Sequence, residues 1–418
     1  MKPIKLLLLT VAISTGWFTT VNLAFAQTWT QTGAANTNWF SIASSADGSV
    51  LFASGGTTNQ SAIYISTNSG ATWAQTTLPM TNSSFGLAVS ADGTTVFAES
   101  GFHGSSPTNS NPLFLSTNSG STWTSLIGPT TNKTSWNAMS ADGGKLIVGM
   151  FDSSHQHNWV YISTNSGATW ASNEFDAPFA TPRVLSTADG KSMSAMIGPM
   201  LLTTTNAGLT WITNSMPGSF YVWNSIASSV DGTKLAAVGE YNTTGAYVCV
   251  STNAGSTWSP INTITWSGGA SVATIACSAD GIKLAMAVTG DSLYVSTNLG
   301  VTWSKTTTLI TNWNTIVSSA DGNKLAVTVY GNRPAAHATG GIWTSQTTPA
   351  PQMNITPTNG NLTLSWIVPS TNFVMQESPD LGSWADMTNT PVLNLTNLQN
   401  EVILSPPGSN VFYRLKTP

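Results

Sequence analysis

The chain has 418 residues, with 13 basic and 17 acidic side chains and a formal net charge of −4 at pH 7. Charged residues make up only 7% of it, hydrophobic residues 41%, and 17 are tryptophan. This composition excludes a chain too poor in apolar surface to fold, and it offers no basic footprint for nucleic acid or an anionic membrane.

Residues 1–26 read as an export signal. Lys2 and Lys5 form a charged start, residues 6–13 an apolar run, and the small-residue sequence AFA ends at Ala26. The mature chain is then expected to start at Gln27, with 11 basic against 17 acidic residues. No cysteine follows the cleavage site to carry a lipid, and no later segment approaches the roughly 18 continuous apolar residues of a membrane helix. The expected location is exported: extracellular, cell surface or periplasmic. Cys249 and Cys277 leave open either a disulfide or two buried thiols.

Two motifs then alternate along the chain. An octapeptide appears as STNSGATW at 66, STNSGSTW at 116, STNSGATW at 163, TTNAGLTW at 204, STNAGSTW at 251 and STNLGVTW at 296. Out of phase with these six copies runs an Asp-Gly pair, at Asp47, Asp92, Asp142, Asp189, Asp231, Asp280 and Asp321. Seven units of about 41 to 50 residues, each with several short β-rich runs, predict the blades of a β-propeller. Within a unit, Asp-Gly supplies the positive φ of a tight A-to-B hairpin. The octapeptide is the C-to-D turn, where Asn68 accepts backbone bonds, Gly70 takes a left-handed conformation and Trp73 covers the turn.

The octapeptide resembles the Asp box (BNR repeat) of sialidase-like propellers, S-x-D-x-G-x-T-W, with Asn at the Asp position in all six copies. The resemblance implies the propeller fold more than any one chemistry. An Asn oxygen still accepts the turn bonds, so the departure leaves folding intact.

Seven Asp-Gly turns against six octapeptides leave the last unit without a strand D. The sequence QTWTQTG at residues 27–33 looks like the ATWAQTT of the first strand D, so it is expected to pair with the last unit and close the ring. The expected fold is therefore all-β, a seven-bladed β-propeller over residues 27–345 closed by the N-terminal strand. Residues 346–351 read as a linker. Residues 352–418, which resemble C-terminal modules ending in FYRL on secreted bacterial proteins, are expected to form a small β-sandwich.

Five Asp-Gly turns carry a lysine two or three residues later, Lys145, Lys191, Lys234, Lys283 and Lys324, and these read as solvated hairpins of little energetic weight. The remaining ionisable groups of the propeller are Glu99, Asp152, Glu174, Asp176, Glu240, Asp291, Lys133, Lys305, Arg183, Arg333 and four histidines. All fall in segments assigned to the face opposite the turns. Glu99, Asp152, Glu240 and Asp291 end strand B in their units, and Trp39, Trp136, Trp223 and Trp313 precede strand A. These eight residues are the expected ligand site, a ring of aromatic faces among carboxylates, against the alternative that the aromatics pack between blades and the carboxylates are merely solvated. His155 and His157 form an H-x-H near Asp152, a spacing that suits a metal but is shared with ordinary loops, and neither a metal nor a cofactor is expected.

No catalytic residue can be assigned. The resemblance to sialidases implies three arginines around the substrate carboxylate, whereas the propeller has only Arg183 and Arg333, Arg414 lying in the C-terminal module. The expected function is therefore non-catalytic binding of a glycan, peptide or protein through the face opposite the octapeptides. The alternative is a glycoside hydrolase or lyase acting on a neutral glycan with a carboxylate pair such as Glu99 with Asp152, or Glu240 with Asp291. No nucleic-acid partner and no membrane span are expected, and the oligomeric state is not legible.

Overall fold

Each Asp-Gly pair builds the same hairpin. Gly48 has a φ of 66°, where a Cβ is disfavoured, and Ser45 N donates to Val50 O at 2.9 Å across the turn. The Asp47 carboxylate accepts from Ser45 Oγ at 2.6 Å and from Ser49 N at 2.9 Å. Burial alone would raise its pKa, but these hydrogen bonds and nearby Lys324 outweigh that effect and hold the carboxyl below its ordinary value.

The computed structural model describes residues 29–57, 60–78, 84–102, 112–128, 133–151, 157–176, 181–217, 222–240, 245–265, 270–306, 312–330, 340–347, 353–358, 361–367, 374–380, 383–405 and 411–416. These residues are all-β, with no helix among them. Up to residue 346 the strands form seven four-stranded antiparallel sheets. Six of them are consecutive in the chain, over residues 38–75, 84–126, 133–176, 183–215, 222–265 and 271–305. The seventh takes Trp313–Ser318, Lys324–Val329 and Gly341–Gln346, and its fourth strand is Trp29–Gln31 from the other end of the chain. Trp29 pairs with Ser345 and Gln31 with Trp343, as the count of turns against octapeptides requires.

The first strands of the seven sheets contact one another in sequence order, and the last contacts the first. A cycle of backbone hydrogen bonds joins them beside the Asp-Gly turns. Ala46 N donates to Ala91 O, Ala91 to Ala141, Ala141 to Ala188, Ala188 to Val230, Val230 to Ala279, Ala279 to Ala320, and Ala320 N donates back to Ala46 O at 2.7 Å. Alanine precedes six of the seven aspartates and valine the other, and these short side chains let the strand ends approach this closely.

The octapeptide turn is more elaborate than expected. Ser69 as well as Gly70 has positive φ, at 56° and 91°. Asn68 Oδ1 accepts from Thr72 N at 2.8 Å while its Nδ2 donates to Thr72 Oγ1 at 2.8 Å, and the other five copies repeat both bonds. Trp73 is half-buried against Trp39, 6.2 Å between ring centroids.

The lysines are not the solvated hairpins expected. Lys145, Lys234 and Lys283 each donate from Nζ to the carbonyl of the next sheet's turn aspartate, Lys234 to Asp280 O and Lys283 to Asp321 O at 2.9 Å. Their stems pack over the turn glycines Gly190, Gly281 and Gly322, which leave no room for a Cβ. Only Lys191 stays beside its own turn, 4.0 Å from Asp189. Cys249 and Cys277 are free thiols, and Cys277 Sγ donates to Ser228 O.

Beyond residue 352 two smaller antiparallel sheets, of four and three strands, share an apolar core of Leu364, Trp366, Met375 and Val402. Leu393, Leu395 and Leu398 of this region pack against the alanines of the hydrogen-bonded cycle. One end of the central space is thus stopped by the chain's own C-terminal part.

Candidate functional site

Numbering back from each turn aspartate aligns the first strands. Six residues before it stand Ser41, Gly86, Trp136, Arg183, Ser225, Thr274 and Thr315, and five before it Ile42, Leu87, Asn137, Val184, Ile226, Ile275 and Ile316. All fourteen line a cavity of about 180 Å³ at the centre of the seven sheets. The repeat's preference at these positions is structural. Ser225 Oγ accepts from Ile275 N at 3.2 Å and Thr274 Oγ1 from Ile316 N at 2.9 Å, so in the fifth and sixth sheets a small hydroxyl tethers the first strand to that of the next sheet, with a branched apolar residue beside it.

Three consecutive sheets break this pattern. The second has Gly86, and the space is taken from behind by Glu99, its partner on the neighbouring strand. A Cβ at Gly86 would lie 2.8 Å from Glu99 Oε1 and 3.1 Å from Asn137 Nδ2. The third sheet has Trp136 and Asn137 where the others have a small and a branched residue. The fourth has Arg183, whose guanidinium lies over the Trp136 ring, 4.6 Å from its centroid.

The electrostatics of this group are unusual. Glu99 is fully buried, at 0% exposure, and burial pushes its carboxyl up to about 8, with the amide of Asn137 drawing it back only in part. That amide lies beside the carboxyl, yet Asn137 Nδ2 and both Glu99 oxygens lack an aligned hydrogen bond. Burial lowers the Arg183 guanidinium to about 10. Among the described residues Arg183 has no ion pair, and its Nε has no hydrogen-bond partner. Arg183 is half-buried, with part of its surface facing the cavity, and a partly desolvated cation without a counter-ion is costly, so sites that tolerate one often use it.

The other expected site residues lie elsewhere. Trp39 and Trp313 are fully buried and Trp223 nearly so, which corrects the aromatic platform: three of its four rings have no surface to offer. Trp39 packs on Tyr64 and Trp73, Trp313 on Trp29 and Trp343, and Trp223 on Tyr247. Their recurrence reflects core packing. Among the described residues only Trp136, six residues before its turn aspartate where Trp39, Trp223 and Trp313 stand eight before theirs, reaches the cavity.

Glu240 is half-buried and accepts from Asn224 Nδ2 at 3.2 Å. Asp291 is tied to Lys305 Nζ at 2.5 Å and accepts from the Tyr294 hydroxyl, so it serves its own hairpin. Asp152 and His155 lie outside the described residues. Among those described, no carboxylate lines the cavity, and Glu99 stands behind its wall at Gly86. His157 meets Glu174 at 3.1 Å and Asp176 at 3.3 Å, an exposed trio able in principle to hold a cation, but with partners other than the H-x-H spacing suggested.

Gly86, Asn137 and Arg183 were missed as site residues. The signal lay in the register: aligning on the aspartate marks all three as departures from the repeat.

No protein-family model matches the chain, and no curated protein matches it. Solved structures do. YCF48 from Cyanidioschyzon merolae is 16% identical, with a TM-score of 0.53 over 76% of this chain and 98% of its own. A structure titled YCF48 bound to D1 peptide is 13% identical, with a TM-score of 0.53 over 78% and 96%. The Cps50 (Swd1) β-propeller domain of Myceliophteria thermophila is 9% identical, with a TM-score of 0.55 over 77% and 100%. At these identities the likeness is one of fold, and the fold is that of β-propellers.

Proposed function

We propose that the mature chain is an exported seven-bladed β-propeller of the Asp-box kind, closed by its N-terminal strand and followed by a small C-terminal β-sandwich module over residues 352–418. In this reading it binds a glycan, peptide or protein without catalysis, through the channel mouth on the face opposite the octapeptides. The observation that carries the proposal is the break in the repeat at Gly86 with Glu99, Trp136 with Asn137, and Arg183, on three adjacent blades around one cavity. A propeller needs none of these residues to fold, since its other four blades place a small hydroxyl and an isoleucine there. The cycle of alanine hydrogen bonds and the pairing of Trp29–Gln31 support ring closure. A peptide-bound propeller among the structural neighbours supports a binding role.

The glycoside hydrolase alternative has less support. Glu99 has the raised pKa of a general acid, but an inverting or retaining mechanism needs a second carboxylate across the cleavage point. Asp291 is ion-paired with Lys305 and does not line the cavity.

The test restores the repeat. The triple substitution Trp136→Ser, Asn137→Ile and Arg183→Ser gives blades 3 and 4 residues that other blades already use. Mature wild type and variant are to be compared on a glycan array and a peptide library, with hydrolysis assayed in parallel. Ligands of the wild type should be lost by the variant at an unchanged circular dichroism spectrum. A variant that keeps every ligand would place binding outside the channel.

A further inference from the structure

We propose that the channel cavity of blades 2 to 4 is a receptor for a single carboxylate group, which Arg183 pairs and the Asn137 side-chain amide hydrogen-bonds. This rests on the channel as the binding site and adds the chemistry of what enters it.

The charge of the cavity points to an anion. Arg183 is the one ionisable side chain on its wall among the described residues, and it stands there without a counter-ion. One face of its guanidinium is covered by Trp136, which leaves the edge of the fork to a ligand. That edge matches the two oxygens of a carboxylate, which it grips with two parallel bonds. Asn137 adds a donor, since its Nδ2 lacks an aligned partner. Glu99 stands behind Gly86 and next to this amide, and held neutral by burial it adds no opposing charge.

The number of charges selects the class further. One arginine balances one negative charge, whereas a phosphate dianion would leave a second charge unmatched in a buried space. A cation would meet Arg183 with nothing ionised beside it. A cavity of about 180 Å³ holds a small acid or the end of a chain, not a folded partner. The carboxylate therefore comes from a free organic acid or from the C-terminus of a peptide.

Glu99 gives the site a built-in check. At neutral pH burial keeps its carboxyl mostly protonated. Above about 8 it ionises, becomes an acceptor for the Asn137 amide, and sets a negative charge behind the anion site. Besides Asn137, the groups around it are uncharged: Gly86 opposite, and Leu113 on the other flank of its strand. Carboxylate affinity should thus fall as pH rises through about 8.

The experiment titrates the mature protein with acetate, lactate and benzoate, with their amides, and with one pentapeptide bearing a free or an amidated C-terminus. Isothermal titration and tryptophan fluorescence read the binding. Acids should bind and amides should not, with at least a tenfold loss in Arg183→Ser. In Glu99→Gln the alkaline fall should be absent, the ratio of affinities at pH 7 and pH 9 staying near one. Binding of the small acids identifies a free acid as the source; binding of only the free-ended peptide identifies a chain terminus, and both support the receptor. Equal binding of amides, indifference to Arg183→Ser, or affinity that rises with pH would overturn it. If the arrays yield a neutral ligand that the repeat-restoring variant loses, the carboxylate assignment fails and the channel site stands.

Discussion

Lys283 Nζ lies 2.9 Å from the carbonyl oxygen of Asp321, so an ammonium of one four-stranded sheet is bonded to the turn of the next. It also reaches Asn323 Oδ1, and burial lowers its pKa, only partly offset by Asp321 and Asp280. A clamp of this kind crosses between blades that share no covalent neighbour at that point. Lys283→Met keeps the stem and removes the charged donor, and should cost about 1 to 2 kcal/mol. The exposed Lys191→Met should cost under about 0.5 kcal/mol. Urea denaturation of both variants checks the contrast, and equal midpoints would contradict the clamp.

Ring closure by the N-terminal strand predicts sensitivity at the chain's start. Trp29 is buried beside Trp313, 6.4 Å between ring centroids. Trp29→Ala should destabilise by about 3 kcal/mol, as for other buried aromatics. Removal of residues 27–34 should lower the melting temperature further, because it bares an edge strand at Gly341–Gln346. An unchanged melting temperature in the truncated protein would refute the closure.

The octapeptide turn distinguishes its amide from its ring. In Asn68→Asp the Thr72 hydroxyl can reverse and donate, so the bonds survive and the change should stay under about 1 kcal/mol. Trp73→Ala removes a half-buried ring from the Trp39 cluster and should cost about 2 to 3 kcal/mol. Calorimetry of the two single variants tests the order. An aspartate variant as unstable as the alanine one would show that the amide donor itself is required.

Glu99 makes stability depend on pH with a definite sign. Its carboxyl moves from an ordinary 4.5 to about 8 on folding, so the folded protein keeps a proton that the unfolded chain releases. Stability from this group is therefore undiminished below about 4.5, falls as pH rises toward 8, and is lost in full above it. Glu99→Gln carries no such proton. Its melting temperature relative to wild type should rise steadily from pH 4 to pH 8, and a gap that stays constant across that range would contradict the buried acid.

The turn aspartates act in the opposite sense. Asp47, Asp92, Asp142, Asp189 and Asp231 meet a burial penalty that hydrogen bonds from their own turns outweigh, which holds all five below 3.8. Their stabilisation is present above pH 3.8 and disappears as pH falls through their lowered values. Asp142→Asn should flatten part of the acid limb of a pH-stability curve, and an acid limb identical to wild type would show that this turn contributes nothing.

Much of the fold was legible because its turns are local. Asp47-Gly48 and Asn68-Gly70 carry their conformational demands in adjacent residues, and their spacing repeats. The missing fourth strand was legible as a count. What crosses between blades was not. Nothing near Lys283 in the chain announces Asp321, and no local signal joins Leu393 to Ala46. The candidate site fell between these cases. Charge subtraction singled out Glu99 and position before strand A singled out Trp136, yet Glu99 was grouped with the loop carboxylates and Trp136 with Trp39, Trp223 and Trp313, which pack in the core, whereas the register against the turn aspartate sets Trp136 apart from them. Arg183 looked like one loose charge among many until the position six residues before the aspartate was compared across blades.

Among the described residues, the leucines at 393, 395 and 398 give the channel a floor on the side of the alanine ring. A ligand seated in the proposed site would have that floor beneath it, and the water it displaces would have to escape past it. Occupancy is then governed by traffic at one threshold: a ligand with a tail too wide for the cavity would seat its small end and hold the doorway shut behind it, so residence time would track the bulk left outside as much as the contacts made within.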